Sequence, residues 1–339
     1  MGPAEFNQQR PIYTAKEAAE VLRDQPYAAY VCYSDWTGGD HSTLMHRHEH
    51  IAEILLILKG RGLYTVDLRR YEVTAGDVIL CNSGALHDEF PQAGEPYRTL
   101  CLGIGNLALP DLPAGSFLES RFSPMFHRPE QFGDLMQLFC QMDRYAAERE
   151  SGYQALCQYL MLASLELVRR MTAGRKEAYV TQADSTFGRV ARYIDQHYAE
   201  DCSIEQLGHL FYLSPYHLSH MFRQKTGYSL KQYVLRRRIG EAQMRLVNSL
   251  DSVQTIAEAV GFEDASYFSR IFSKYIGLTP ERSSRRFRNR AGRRAKKIRK
   301  KEGPAEERSG SPAGFSLPFP RVYLYPESSI LTGEMEGLP

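Results

Sequence analysis

An internal repeat in the C-terminal part of the chain constrains the fold more than any other feature. The first copy reads SIEQLGHLFYLSPYHLSHMFRQKTGYS and the second reads QTIAEAVGFEDASYFSRIFSKYIGLT. Three pairs recur at an offset of 50 residues: Ser219 and Ser269, Phe222 and Phe272, and Gly227 and Gly277. The sequence therefore predicts two copies of one helical unit, separated by a long helix over Leu230–Val247.

Each copy has the anatomy of a helix-turn-helix. In the first copy, Tyr212 lies in the turn, Ser214 is the N-cap, and a proline takes the first position of a helix over Pro215–Thr226. Gly227 ends that helix. In the second copy the corresponding turn, cap and terminating residues are Gly261, Asp264 and Gly277. Because cap, turn and core residues match unit by unit, an ordinary helical bundle is disfavoured.

The apolar residues of each second helix predict which side chains face outward. They leave Tyr216, Ser219, His220 and Arg223 in the first copy and Ala265, Ser266, Ser269, Arg270 and Lys274 in the second. The DNA major groove admits one helix and presents base edges to it. Arg270 can form a bidentate pair with guanine, whereas Arg223 and Lys274 suit phosphates.

The charge distribution agrees with a polyanionic partner for the C-terminal part. The net charge is only +2, but residues 1–183 carry 17 basic and 23 acidic side chains, whereas residues 184–290 carry 16 and 11. Residues 291–301 add 7 basic side chains and no acidic ones. The basic excess therefore lies where the repeat lies, which favours double-stranded DNA as the partner.

The second copy, TIAEAVGFEDASYFSRIFSKYIGLTP, resembles the signature of the AraC/XylS transcriptional regulators. The resemblance covers about Phe187–Phe287 and implies two recognition helices in successive major-groove segments on one DNA face. It implies base reading by Tyr216, Ser219 and His220 in the first unit and by Ala265, Ser266, Ser269 and Arg270 in the second. The sequence departs from the family at Tyr212, where glycine is common, and after Pro280, where a tyrosine-arginine pair is usual.

The N-terminal half reads as short strands followed by two helices. From Tyr30 to about Gly105, strands alternate with glycine-containing turns, which favours a small antiparallel barrel or sandwich. Between Pro129 and Met171, apolar residues recur at three- and four-residue steps and predict two helices. The apolar stripe of the second helix is formed by Tyr153, Leu156, Tyr159, Leu160, Ala163, Leu167 and Met171. These helices are expected to pack on the core and to contribute a homodimer contact.

The stretch HRHEHIAEILLILKG gives the N-terminal half a resemblance to cupins, which are small double-sheet β-barrels. His46, His48 and Glu53 fit one cupin pattern, and His87 ends the second pattern. By this resemblance the four residues are a candidate metal set of three imidazoles and a carboxylate, suited to Mn, Fe, Ni or Zn.

Two other roles stay open for these four residues. Imidazole and carboxylate groups also hydrogen-bond hydroxyl groups, so the four side chains can line a metal-free pocket for a sugar or another small effector. Trp36 and Tyr64 are candidates for stacking on such an effector. The side chains can also be inert wall residues. We favour the effector pocket, and a bound divalent metal is the less favoured alternative.

The sequence as a whole predicts an α+β multidomain regulator of transcription rather than an enzyme. Its expected parts are a cupin-like effector domain over 1–125, a helical dimerisation segment and linker over 126–183, and an all-α double helix-turn-helix domain over 184–290. A basic, then proline- and glycine-rich tail over 291–339 is expected to be disordered. The alternative function is a metal-dependent cupin enzyme, a dioxygenase or isomerase, fused to a DNA-binding module.

The sequence also predicts binding partners and a cellular location. The predicted partners are promoter DNA, a small effector such as a sugar, a second copy of the chain and RNA polymerase. The sequence has no signal-peptide pattern and no apolar run of about 18 residues, so a cytoplasmic location without membrane contact is expected. The six scattered cysteines indicate reduced thiols.

Overall fold

Two antiparallel β-sheets build the N-terminal half, which we call the β-domain (residues 7–126). The computed structural model describes residues 7–22, 25–36, 44–92, 94–173, 185–249 and 251–284, so the tail expected over 291–339 lies outside the described residues. The larger sheet has the order β1-β2-β8-β3-β6-β9 and the smaller has the order β5-β4-β7. The strands are β1 Asn7–Pro11, β2 Tyr27–Trp36, β3 Ile51–Lys59, β4 Arg61–Val66, β5 Arg69–Thr74, β6 Val78–Cys81, β7 His87–Pro91, β8 Tyr97–Gly105 and β9 Met125–Phe126.

The two sheets share one apolar core, which gives the double-sheet, cupin-like architecture that the sequence predicts. Strands β3, β6 and β8 are buried along almost their whole length, so they read as continuous apolar runs rather than as alternating ones. A backbone bridge between His46 and His87 ties the segment before β3 to the start of β7. All six cysteines are free thiols, as expected.

Three helices accompany the β-domain: α1 Ala15–Val21, α2 Phe132–Glu148 and α3 Tyr153–Thr172. Helix α2 buries Leu135, Phe139 and Met142 against the sheet core. Helix α3 buries a different face from the one that the apolar periodicity indicates. Leu156 and Tyr159 are exposed, because the residues of α3 that face the core are Cys157, Gln158, Met161, Ser164, Leu165 and Val168.

Six further helices form what we call the helical domain (residues 185–284). They are α4 Thr186–His197, α5 Ile204–Phe211, α6 Pro215–Thr226, α7 Leu230–Asn248, α8 Val253–Ala259 and α9 Ala265–Ile276. The predicted caps are confirmed: Ser214 accepts a hydrogen bond from the His217 backbone amide, and Asp264 accepts from the amides of Ser266 and Tyr267. Gly227 and Gly277 end α6 and α9 in the left-handed conformation.

The helical domain packs directly against the β-domain within one compact unit. Met45 and Leu86 of the β-domain belong to the apolar core of the first helix-turn-helix, and Leu44 belongs to the core of the second. On α7, a Cβ added to Gly240 would lie 2.1 Å from the carbonyl oxygen of Met45, so a glycine is needed for this approach. No helix in the described residues is long and apolar enough to cross a membrane.

Candidate functional site

The outward faces of α6 and α9 are accessible, as the sequence predicts. On α6, Tyr216 is 81 % exposed, and the other three predicted contact residues of that helix are also exposed. On α9, Ser266, Arg270 and Lys274 are exposed, whereas Ala265 and Ser269 are half-buried. The Arg270 guanidinium carbon lies 5.4 Å from the centre of the Tyr267 ring. The two faces thus combine cations, hydroxyl groups and rings, the groups that contact phosphates and base edges.

Arg238 of the connecting helix holds the two helix-turn-helix units together. Its guanidinium donates hydrogen bonds to three backbone carbonyls, at 2.6 Å to Tyr198, 2.6 Å to Gly261 and 2.8 Å to Glu200. The first and third acceptors follow α4, and the second lies in the turn of the second unit. One planar donor group therefore fixes the angle between the units, which a lysine could not do.

The conformation and exposure of Tyr212 explain why this chain tolerates a tyrosine where glycine is common in the family. Its backbone adopts the left-handed conformation with φ of 55°, and its side chain is 95 % exposed. The equivalent Gly261 has φ of 86°, and a Cβ there would lie 2.3 Å from the carbonyl oxygen of Ala199. A side chain therefore fits the first turn at the cost of backbone strain but does not fit the second.

The four cupin-pattern residues converge in the β-domain. His46, His48, Glu53 and His87 each offer one ligand atom, and these atoms lie within 4.8 Å of one another. Glu53 Oε2 lies 3.0 Å from His87 Nε2, and Glu53 Oε1 lies 3.5 Å from His48 Nε2. The Tyr30 hydroxyl donates to Glu53 Oε1 at 2.5 Å. We call these four residues the histidine cluster.

Backbone carbonyls orient two of the imidazoles in the same way. His46 Nδ1 lies 2.8 Å from the carbonyl oxygen of Leu44, and His87 Nδ1 lies 3.0 Å from that of Ala85. Because these contacts place the proton on Nδ1, each Nε2 keeps its lone pair for the interior of the cluster. His87 Nε2 is buried and is 3.0 Å from Glu53 Oε2, but it completes no hydrogen bond among the described residues.

The pKa values of the histidine cluster fit neutral His46 and His48 imidazoles beside an ionised Glu53 carboxylate. Burial lowers the pKa of His48, and burial together with the neighbouring His87 lowers that of His46 well below its usual value. Burial alone would raise the pKa of Glu53, but the surrounding imidazoles hold it well below its usual range. For His87, burial is outweighed by the adjacent Glu53, which raises the pKa. Neutral imidazole and carboxylate are the forms that bind a metal cation.

Tyr64, one of the two predicted stacking residues, lies beside the histidine cluster. Its buried ring lies parallel to that of His87, with centroids 6.3 Å apart. Trp36 is the last residue of β2, where its backbone pairs with that of Tyr97, and its side chain lies outside the described part of the chain. Its stacking role therefore stays a prediction.

Ion pairs that the sequence does not indicate join the two domains. Asp88 accepts two hydrogen bonds from Arg236 of α7, at 2.9 and 3.2 Å, and both side chains are buried. Arg47 pairs with Asp195 of α4. Asp88 follows His87, and Arg47 lies between His46 and His48, so the residues next to the cluster contact the helical domain.

Comparisons with known proteins agree with this architecture. The family of AraC-like ligand-binding domains matches residues 28–165, and a helix-turn-helix domain family matches residues 207–290. The uncharacterized HTH-type transcriptional regulator YdiP of Escherichia coli is 23% identical over 83% of this chain and 93% of its own length. The arabinose operon regulatory protein of Escherichia coli is 28% identical over 66% of this chain and 77% of its own length.

One solved structure matches most of this chain at low similarity. The crystal structure of ToxT from Vibrio cholerae is 12% identical, covers 77% of this chain and 96% of its own, and has a TM-score of 0.38. The two family matches fall on the β-domain and on the paired helix-turn-helix units, respectively. The chain therefore belongs to the AraC family of transcriptional regulators, with a cupin-like ligand-binding domain and a helix-turn-helix DNA-binding domain.

Proposed function

We propose that this regulator reads a specific promoter sequence in double-stranded DNA with the outward faces of α6 and α9. The observation that carries the proposal is the presence of two matching, capped recognition helices whose orientation Arg238 fixes. In this proposal Arg270 pairs with guanine, Ser219, His220, Ser266 and Ser269 hydrogen-bond base edges, and Tyr216 and Ala265 contact thymine methyl groups. Arg223 and Lys274 bind phosphates.

Selection from randomised DNA duplexes tests this proposal. We expect the full chain to enrich a site with two sequence elements, one for each recognition helix, and to bind it at least about 1,000-fold more tightly than random duplex. Equal affinity for selected and random duplexes at physiological salt would exclude sequence-specific reading.

We further propose that the histidine cluster is the sensing site and holds a divalent cation. The support is that three imidazoles and one carboxylate converge within 4.8 Å, with two imidazoles oriented by carbonyls and one inward nitrogen unpartnered. A cation bound there would offer a Lewis-acid site for a hydroxyl or carboxylate oxygen of an effector. Since the relatives include two arabinose operon regulatory proteins, we propose a small polyhydroxylated molecule as that effector.

The neighbours of the histidine cluster provide a route from this site to the helical domain. Side chains alternate along an extended segment, so residues flanking an inward histidine face the other way. Arg47 and Asp88 use this position to pair with Asp195 and Arg236. A shift of His46 or His87 on ligand binding therefore moves residues that hold α4 and α7.

Metal analysis of the purified full chain after dialysis tests the cation site. We expect one equivalent of Zn, Mn, Fe or Ni, which is lost in His48→Ala and retained in His50→Ala. His50 is exposed and is not part of the histidine cluster, so it is a matched control. Absence of retained metal in the unsubstituted chain, after reloading with each cation, argues for a metal-free effector pocket. The alternative of a metal-dependent cupin enzyme depends on the same four residues.

We also propose that the protein acts as a homodimer in the cytoplasm and contacts RNA polymerase at the promoter. The dimer proposal is supported by an apolar stripe on the outer face of α3, where Leu156, Tyr159 and Leu162 are 45, 61 and 46 % exposed. An exposed apolar stripe of this kind is typical of a protein contact surface. We propose the same domain boundaries that the sequence predicts, at about residues 125, 183 and 290.

A further inference from the structure

A cavity of about 280 Å³ lies between the β-domain and the helical domain. Its wall on the β-domain side comes from β4, β5, β6 and residues 118–124, and its other wall comes from α4 with Tyr233 of α7. None of the four residues of the histidine cluster lines it. At about 30 Å³ for each water-sized group, the cavity has room for about nine non-hydrogen atoms.

The charged groups that line this cavity favour an anion. Arg47, Arg69 and Arg192 line it, against the two carboxylates of Asp67 and Asp195. Asp195 is shared between two cations, because it pairs with Arg47 and also with Arg237, 2.6 Å from its Nε.

Arg47 also has an unsatisfied donor. Its Nε is buried without a hydrogen-bond partner among the described residues. A buried donor without an acceptor costs about 1–3 kcal/mol, more when the group is charged. An anionic oxygen in the cavity would supply the acceptor.

The rest of the cavity wall is apolar, and one part of it is strained. Leu80, Leu86, Leu118 and Phe122 are among the lining residues. Leu68, at the tip of the β4–β5 hairpin, also lines the cavity and has φ of 71°, a left-handed conformation that is unfavourable for leucine. This conformation lets Leu68 reach the core of the first helix-turn-helix. The tip of the hairpin therefore contacts the helical domain beside the cavity.

We propose that this interdomain cavity is a second ligand site, for a small monocarboxylate with an apolar body and about nine non-hydrogen atoms in all. The carboxylate lies at Arg47 and Arg192, and the apolar body lies against the leucines of the β-domain. Because both domains line the cavity, the ligand binds only their packed arrangement and stabilises it. Only this regulatory consequence rests on the proposed DNA-reading function, since binding itself can be measured without DNA.

Calorimetric titration of the full chain with three matched probes tests the site. Phenylacetate has the expected charge and size, phenylethanol is its neutral analogue and phenethylamine its cationic one. We expect phenylacetate to bind at least tenfold more tightly than phenylethanol, and phenethylamine not to bind.

Ala191→Phe fills the cavity from α4 and should abolish binding. Arg192→Gln should weaken binding about tenfold, whereas Arg189→Gln, an exposed residue of the same helix that does not line the cavity, should not.

The outcomes separate this site from the histidine cluster. We expect His48→Ala to keep its affinity for phenylacetate. No binding of phenylacetate at millimolar concentration, equal binding of the neutral probe, or loss of binding in His48→Ala but not in Arg192→Gln would overturn the proposal. If Ala191→Phe does not fold, the comparison of Arg192→Gln with Arg189→Gln still decides.

Discussion

The rings of His46 and His87 are oriented by the same kind of backbone contact, which the sequence pattern does not reveal. In each, Nδ1 contacts the carbonyl oxygen of the residue two positions earlier, and Nε2 faces the cluster. The spacing of the histidines and Glu53 was enough to identify the cluster, because cupin spacing reflects strand register. The ring orientations depend on the backbone bridge between the two segments, which joins residues 41 positions apart.

Tyr212 and Gly261 lead to opposite predictions at the same place in the two units. Tyr212→Gly should raise the free energy of unfolding by about 1 kcal/mol, because it removes a left-handed tyrosine whose side chain contacts mainly solvent. Gly261→Ala should lower it by about 2 kcal/mol, because its Cβ meets the Ala199 carbonyl. Urea unfolding of both variants checks this. A destabilised Tyr212→Gly would show that the tyrosine side chain makes a stabilising contact.

At the scale of elements, the helices of the helical domain were predictable and the sheet order was not. Helix α6 begins at Pro215 and ends at Thr226, as predicted, because Ser214, the proline and Gly227 act within one turn of the chain. In contrast, β8 lies between β2 and β3, and this order depends on contacts between residues tens of positions apart. The buried face of α3 was also missed, since Cys157, Ser164 and Gln158 are not strongly apolar.

The exposed stripe of α3 supports a prediction about assembly. Tyr159→Glu should convert the proposed homodimer to a monomer, because a charge in the centre of an apolar contact is left without a partner. Sedimentation velocity measures the change, with Gln137→Glu, an exposed position on α2, as the control. A dimer of unchanged stability in Tyr159→Glu would mean that α3 is not the contact.

At the scale of the whole molecule, the packing of the two domains is the feature that sequence reasoning could not supply. Leu44, Met45 and Leu86 are strand-flanking residues of the β-domain, yet each belongs to a core of the helical domain. Their apolar character alone cannot distinguish a partner within the β-domain from one in the helical domain. The interdomain cavity was missed for the same reason.

Substitution of Gly240 tests the packing of α7 against the β-domain. In an isolated helix, Gly240→Ala would be favourable by about 1 kcal/mol, but here its Cβ meets the Met45 carbonyl oxygen. The variant should therefore separate the domains, and calorimetry should show two unfolding transitions where the unsubstituted chain shows one. Gly133→Ala on α2, where nothing lies within 4 Å of the added Cβ, is the control and should keep one transition. One unchanged transition in Gly240→Ala would show that α7 does not dock on Met45.

The central claim is that α6 and α9 read a DNA sequence, and the affinity ratio between the selected site and its single-base variants measures it most directly. Arg270→Ala should lose about 1–3 kcal/mol of discrimination at one guanine and leave the other positions unchanged, and adding His220→Ala should relax a position in the other element. Lys274→Ala should instead weaken binding to all duplexes alike and reduce the salt dependence by about one phosphate contact. If the double variant Arg270→Ala, His220→Ala discriminates as well as the unsubstituted chain, α6 and α9 do not read the bases.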